Sequence, residues 1–153
     1  MALYVLLLEN IHAVAETAFK EAGFNVTRIN GALKESELIE KLAGIHVLCI
    51  RSKTNVTKKV LEAPQAKDLH AVGAFCIGTN QIDLSSAMKL GVATFNAPFS
   101  NTRSVAEMVI AEVIMLSRQL GDRSNEMHKG VWKKLATGSH EVRGKTLGVV
   151  GYG

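Results

Sequence analysis

The sequence predicts an α/β protein: a parallel sheet with helices on both faces over the first hundred residues, then the opening of a second domain. Three observations carry that expectation. Short apolar runs alternate strictly with amphipathic helical stretches as far as residue 96, the pattern of parallel strands joined by right-handed crossovers. From residue 101 the texture changes to a long helix that is apolar on most sides. The last eight residues, Thr146-Leu147-Gly148-Val149-Val150-Gly151-Tyr152-Gly153, read as a buried strand running into the first two glycines of a G-x-G-x-x-G turn. Such a turn sets a dinucleotide pyrophosphate against a helix N-terminus.

The elements follow in order. Residues 3–9 are an apolar run of buried-strand type, and Asn10 caps a helix in which Val14, Ala15, Ala18, Phe19 and Ala22 recur at helical spacing before Gly23 ends it. Residues 26–30 form a weaker strand at an edge. A second helix spans 35–43, with Leu38, Ile39 and Leu42 on one face and Gly44 as its stop. A third strand, 46–50, hands over to the loop Arg51-Ser52-Lys53-Thr54-Asn55. Thr57 caps a short helix that ends at Pro64, residues 69–75 are the fourth strand, Asp83 caps a helix to Leu90, and Gly91 turns the chain into a fifth strand, 92–96. The strand order expected for this sheet is 2-1-3-4-5.

In the second part, Ser104 with Glu107 three residues later matches a capping box at the start of helix 104–120. Val105, Met108, Val109, Ile110, Val113, Ile114, Met115 and Leu116 leave that helix almost no polar side, so it is expected to be buried against another domain or subunit. A more polar helix runs from Gly121 to near Gly130. Residues 146–150 are expected to be frayed, or paired with another chain. The domain boundary is placed near Pro98, giving domains 1–100 and 101–153.

Composition narrows the function classes. Hydrophobic residues at 47% and charged residues at 21% describe a globular chain, not a disordered one. The longest apolar runs are far too short to span a bilayer, and residues 1–9 lack the basic start and cleavage site of an export signal. Cys49 and Cys76 lie in apolar stretches without C-x-x-C spacing, so a reduced pair in a cytoplasmic protein is expected. The net charge of +4 is concentrated in two groups, Arg51, Lys53, Lys58 and Lys59, and a second running from Arg118 to Lys145. Aromatics are only 5% and are not interleaved with these cations, which argues against a nucleic-acid partner and for a small anionic ligand.

Three stretches could carry chemistry. Arg51-Ser52-Lys53 lies just past the carboxyl end of a parallel strand, where open α/β sheets place ligands. Arg supplies a planar fork for carboxylate or phosphate, Lys a point charge, and Ser52 with the loop amides further donors; a solvated loop with two ordinary cations is the alternative. In Phe95 through Ser104, polar residues accumulate beyond what helix capping requires, and Asn101 is singled out as a ligand contact. In Cys76-Ile77-Gly78-Thr79-Asn80-Gln81, Gly78 permits a tight turn or a close approach to ligand, and Ile77 is either an apolar wall for a nicotinamide ring or a core residue. Asp83 is read as a cap, not an acid catalyst. The five histidines share no metal-ligand spacing, and no catalytic or metal residue is assigned.

Those residues together resemble the D-isomer-specific 2-hydroxyacid dehydrogenases, and among them the bacterial enzymes acting on a phosphorylated three-carbon acid. The resemblance rests on Arg51-Ser52-Lys53-Thr54, on 75–84 (Phe75-Cys76-Ile77-Gly78-Thr79-Asn80-Gln81-Ile82-Asp83-Leu84), on 95–107, on Gly130-Val131-Trp132 with Lys134-Leu135-Ala136, and on 143–153. It implies a flavodoxin-like substrate domain followed by the opening helices and first strand of a Rossmann nucleotide-binding domain. It also implies an NAD-dependent oxidoreductase in which Arg51, Ser52, Lys53 and Asn101 contact the phosphate or carboxylate of a small anionic 2-hydroxy acid. Ile77 would face the cofactor cleft, Gly151, Tyr152 and Gly153 would begin the pyrophosphate turn, and helix 104–120 would join a homo-oligomer. Lys53 stands where such enzymes often carry Arg, and Asn30 where some relatives carry a Lys. The family's catalytic Arg, Glu and His fall outside these motifs and His140 is no substitute, so the resemblance implies an N-terminal fragment without turnover of its own. It also implies that a C-terminal segment completing the first domain is missing.

Overall fold

The computed structural model describes residues 2–151, so Tyr152 and Gly153 of the expected pyrophosphate turn lie outside the described residues. The chain divides into two compact units, Met1–Ser100 and Asn101–Gly153.

The first unit is a five-stranded, all-parallel sheet formed by β1 (Leu3–Leu7), β2 (Phe24–Arg28), β3 (Val47–Ile50), β4 (Ala71–Ala74) and β5 (Ala93–Asn96). The strands lie in the order β2-β1-β3-β4-β5, as the sequence predicts. Register runs straight across, with Val26, Val5, Val47, Ala71 and Ala93 side by side. The connecting helices are α1 (Ala13–Glu21), α2 (Glu35–Lys41), α3 (Lys58–Leu61) and α4 (Leu84–Lys89), with a short 3-10 turn at Pro64–Ala66.

Val5 to Leu8 shows why the run is continuously apolar: alternate residues enter opposite cores. Leu6 and Leu8 join Leu48, Ile50 and Val72 beneath Leu38, Leu42, Val60 and Ala87 of α2, α3 and α4. Val5, Leu7 and Cys49 face the other way, onto Ile11, Ala15 and Phe19. Over β4 and β5 that second face carries no helix of this unit, and Phe95, level with Gly73 and Cys49, is 63% exposed.

Local signals explain most boundaries. Thr57 Oγ1 accepts the Val60 amide at the head of α3, and Asp83 accepts the Ser86 amide at the head of α4. Gly44 and Gly91 end their helices with φ of 74° and 71°, backbone that a side chain rarely adopts. Two expectations are corrected here. The first strand stops at Leu7, and Glu9 and Asn10 both take left-handed backbone, with φ of 57° and 52°. Asn10 therefore is not the cap of α1; His12 is, its Nδ1 accepting from the Val14 amide.

In the second unit, α5 (Thr102–Ser117) is followed by α6 (Leu120–His128) after a left-handed Gln119. Asn101 is the residue before α5 and makes no side-chain capping bond, so Ser104 sits inside the helix and the expected capping box is not formed. Glu126 binds both Arg123 and Lys133, which folds the segment after α6 back onto it. The apolar side chains of α5 are not buried within the unit: Val105 is 52% and Leu116 74% exposed. Residues 146–150 form no strand, and Val149 is 73% exposed. Among the described residues no helix is long and apolar enough to cross a membrane.

Candidate functional site

In a sheet ordered 2-1-3-4-5 the chain leaves β1 toward one edge and β3 toward the other. The loops after these neighbouring strands diverge and open a crevice at their carboxyl ends. A cavity of about 360 Å³ lies there, lined by Glu9 and Asn10 after β1, Asn30, Gly31 and Ala32 after β2, and Arg51, Ser52 and Lys53 after β3. Three of the predicted site residues, consecutive in the chain, thus line one cavity, and topology brings the loops after β1 and β2 to them. Arg51, Ser52 and Lys53 are all exposed.

The shape of that loop comes from a residue the sequence reading took for the end of a strand. Glu9 is buried, and its Oε1 accepts the amides of Arg51 (3.1 Å) and Thr54 (2.8 Å) while Oε2 accepts that of Lys53 (2.9 Å). Its own amide donates to Gly31 O at 3.1 Å, so one residue ties together the loops after β1, β2 and β3. Burial pushes the Glu9 carboxyl up. The adjacent Thr54 hydroxyl and the Lys53, Thr54 and Arg51 amides outweigh it, leaving the group below the ordinary carboxylate range. Thr54 Oγ1 is itself buried without a hydrogen bond of good geometry, so the three amides are the bonds that hold the carboxylate.

This corrects one expectation. Most loop amides are not open donors for a ligand, because three of the five are spent on Glu9; between the two cations, Ser52 supplies an amide and a hydroxyl. From the other side Gln81, also buried, donates through Nε2 to the Arg51 carbonyl at 2.8 Å and to Cys76 Sγ at 3.2 Å. An acidic residue directly after the apolar run that starts at Leu3, at the end where ligands bind, was the signal for Glu9. Nothing local marks Gln81.

The basic group also resolves. Lys59 pairs with Glu35 at 2.8 Å and Lys58 with Glu62 at 3.7 Å. Among the described residues, the Arg51 and Lys53 side chains form no ion pair. Of that group of four cations, the two without an ion-pair partner are thus the two that line the cavity.

The other expected site residues are placed as follows. Ile77 is 43% exposed in the loop after β4, which removes the core alternative, and its carbonyl accepts Asn96 Nδ2. Gly78 does not need left-handed backbone; a Cβ there would meet the Asn80 side chain at 2.8 Å. Asn101 heads α5 in the second unit, exposed and with its amide group not used in capping. Gly151 has φ of 100°, a conformation suited to glycine, and is the one described residue of the three expected to begin a pyrophosphate turn. No histidine lines the cavity. Burial pushes the Cys49 thiol up to about 12, so it is no nucleophile, and both cysteines are free. No group of His, Cys, Asp and Glu among the described residues is arranged to hold a metal.

Comparison with known proteins agrees with this architecture. The family model for the D-isomer specific 2-hydroxyacid dehydrogenase catalytic domain matches residues 5–147. D-3-phosphoglycerate dehydrogenase of Dictyostelium discoideum is 56% identical over 97% of this chain and 36% of its own length. The enzyme of the same name from Escherichia coli K12 is 48% identical over the same shares. The chain thus spans about a third of these relatives. Among solved structures, the TT0316 protein of Thermus thermophilus superposes with a TM-score of 0.77 at 21% identity, over 88% of this chain and 43% of that one. NAD+-bound 3-phosphoglycerate dehydrogenase of Entamoeba histolytica superposes with a TM-score of 0.66 at 18% identity, over 77% and 40%. At such identities the structures speak for the fold alone.

Proposed function

The chain belongs to the D-isomer specific 2-hydroxyacid dehydrogenases, and on that premise we propose that it is the anion-gripping part of an NAD-dependent enzyme that oxidises 3-phosphoglycerate to 3-phosphohydroxypyruvate in serine synthesis. The observation that carries this reading is the pair of unneutralised cations, Arg51 and Lys53, held at the switch point of a sheet whose sequence is about half identical to such enzymes. Arg51 and Lys53 grip the phosphate or carboxylate, and Ser52 adds an amide and a hydroxyl. Asn101 is a further polar contact and Ile77 an apolar one toward the nicotinamide. Gly151, with Tyr152 and Gly153, would begin the pyrophosphate turn. A bound NAD+ would supply the acceptor for the C2 hydride, with Ile77 and the turn at Gly151 as the residues of this chain that would hold it, and the hydroxyl proton would leave to a base. No residue of the cavity described here is suited to be that base.

A chimera tests the assignment: this chain replaces the matching third of the E. coli enzyme, and NADH formation is followed. The chimera is expected to turn over 3-phosphoglycerate. Arg51→Ala should raise its KM roughly tenfold to a hundredfold, the loss of a charge-assisted bond, with a smaller change in kcat. An unaltered KM in Arg51→Ala, or equal use of unphosphorylated 2-hydroxy acids, would refute the reading.

The apolar side of α5, within the segment 104–120, is assigned to homo-oligomer contact. Its support is the exposure of Met108 (64%) and Ile110 (54%) on a helix with few polar residues. Light scattering should show self-association of the chain that Met108→Glu weakens; a monomer at every concentration would count against the assignment.

A further inference from the structure

We propose that Glu9 is a positioning residue for the anion site, its carboxylate gathering the amides of Arg51, Lys53 and Thr54 beneath the loop and so fixing where the two cationic side chains leave the backbone. The inference rests on reading that loop as the site for the substrate's anion.

Four observations support it. The three amide bonds, at 2.8 to 3.1 Å, converge on one buried carboxylate, so the loop can take few other shapes without abandoning them. Amides turned inward toward Glu9 are unable to serve a ligand, which leaves recognition to side chains whose direction the loop sets. Glu9 and its neighbour Asn10 both hold left-handed backbone without being glycine, strain of a kind that persists at sites where surrounding bonds over-determine it. Finally, the Glu9 amide on Gly31 O brings the β2 loop to the same cavity.

A merely electrostatic role has the opposite sign. A carboxylate beside an anion site repels the anion, so neutralising it without altering the loop would tighten binding. Positioning requires that neutralising it weakens binding. Glu9→Gln separates the two: Oε1 can still accept, but the new NH2 group faces the Lys53 amide donor to donor. Arg51 and Lys53 are the charged residues that share the cavity lining with Glu9. Asn10, Asn30, Gly31, Ala32 and Ser52 complete the lining without charge.

The test follows the amide resonances of residues 51–54 in the 15N-labelled 153-residue chain, titrated with inorganic phosphate and with 3-phosphoglycerate. The wild-type Ser52 amide is expected to shift with ligand. Glu9→Gln should raise the apparent Kd about tenfold, the effect of one misplaced charge-assisted bond, while resonances away from the loop stay put. In the wild type the Arg51, Lys53 and Thr54 amides should move together in one acid titration, below the ordinary carboxylate range, and affinity should fall in that same step. Glu9→Gln should lack the step. If the variant does not fold, the wild-type titration still decides: three amides that fail to titrate together would overturn the proposal. So would a Glu9→Gln chain that binds as tightly as wild type, or more tightly. Weakening by Glu9→Gln with 3-phosphoglycerate no tighter than phosphate would keep the positioning role and end the phosphoglycerate reading. A wild-type loop that shifts with neither anion would end both.

Discussion

Glu9→Ala is expected to destabilise the first unit by about 2–4 kcal/mol at neutral pH, the cost of leaving three inward-facing amides without an acceptor while water reaches part of the space. The donors stranded are those of Arg51, Lys53 and Thr54, the last of them buried. Alanine keeps its Cβ, so the left-handed backbone at residue 9, with φ of 57°, is not relieved. Glu9→Gly removes that strain as well and should recover about 1 kcal/mol of the loss. The pH dependence follows from the direction of the carboxyl's shift. The folded state holds it below its ordinary value, so the stabilisation is complete above the ordinary carboxylate pKa. It fades as pH falls through the lower, folded value. Urea unfolding of wild type and Glu9→Ala should therefore differ most at neutral pH and converge in acid. Parallel curves at every pH would show that the carboxylate does not hold the loop.

Leu48→Ala should cost at least as much, about 2–5 kcal/mol, for a different reason. Leu48 is fully buried on the central strand β3, in the core that also holds Leu6, Leu38 and Val72. Truncation removes its transfer energy and leaves a cavity between a sheet and three helices that have little room to close it. Total stabilities of about 5–15 kcal/mol make this a large fraction, visible as a lowered urea midpoint. The two variants discriminate between stability and function. Below its transition, Leu48→Ala should bind phosphate as the wild type does, since its side chain lies under the sheet and not at the loop. Glu9→Gln should bind about tenfold more weakly while most of the unit stays folded. A phosphate affinity that falls in proportion to stability in both would mean that the loop merely reports on the core.

The sheet and its helices were legible because their signals are short-range. The run from Leu3, short, apolar on both faces and followed by a helical pattern, read as a strand sandwiched between layers. Thr57 and Asp83 announced their helices, and Gly44 and Gly91 ended theirs, because a cap or a left-handed turn is decided within four residues. Parallel pairing and right-handed crossovers then left few strand orders to choose from. Where local signals competed, the reading failed. Asn10 is a better cap by residue type than His12, but it follows Glu9 into left-handed backbone, at the point where Glu9 is bonded to the loops after β2 and β3. Ser104 and Glu107 match a capping box by spacing, yet α5 begins two residues earlier, and the pair lies inside it.

The sequence by itself therefore determined the order of elements, the parallel topology and the position of the Arg51 loop past β3, since each depends on neighbouring residues and on chain handedness. Only the tertiary structure decided what that loop can offer. Glu9 meets the amides of Arg51, Lys53 and Thr54 across 42, 44 and 45 positions of chain. Lys59 is neutralised by Glu35 across 24. Such pairings leave no periodic trace in the sequence, because they exist only once β1 and β3 lie side by side and their loops part over the same crevice.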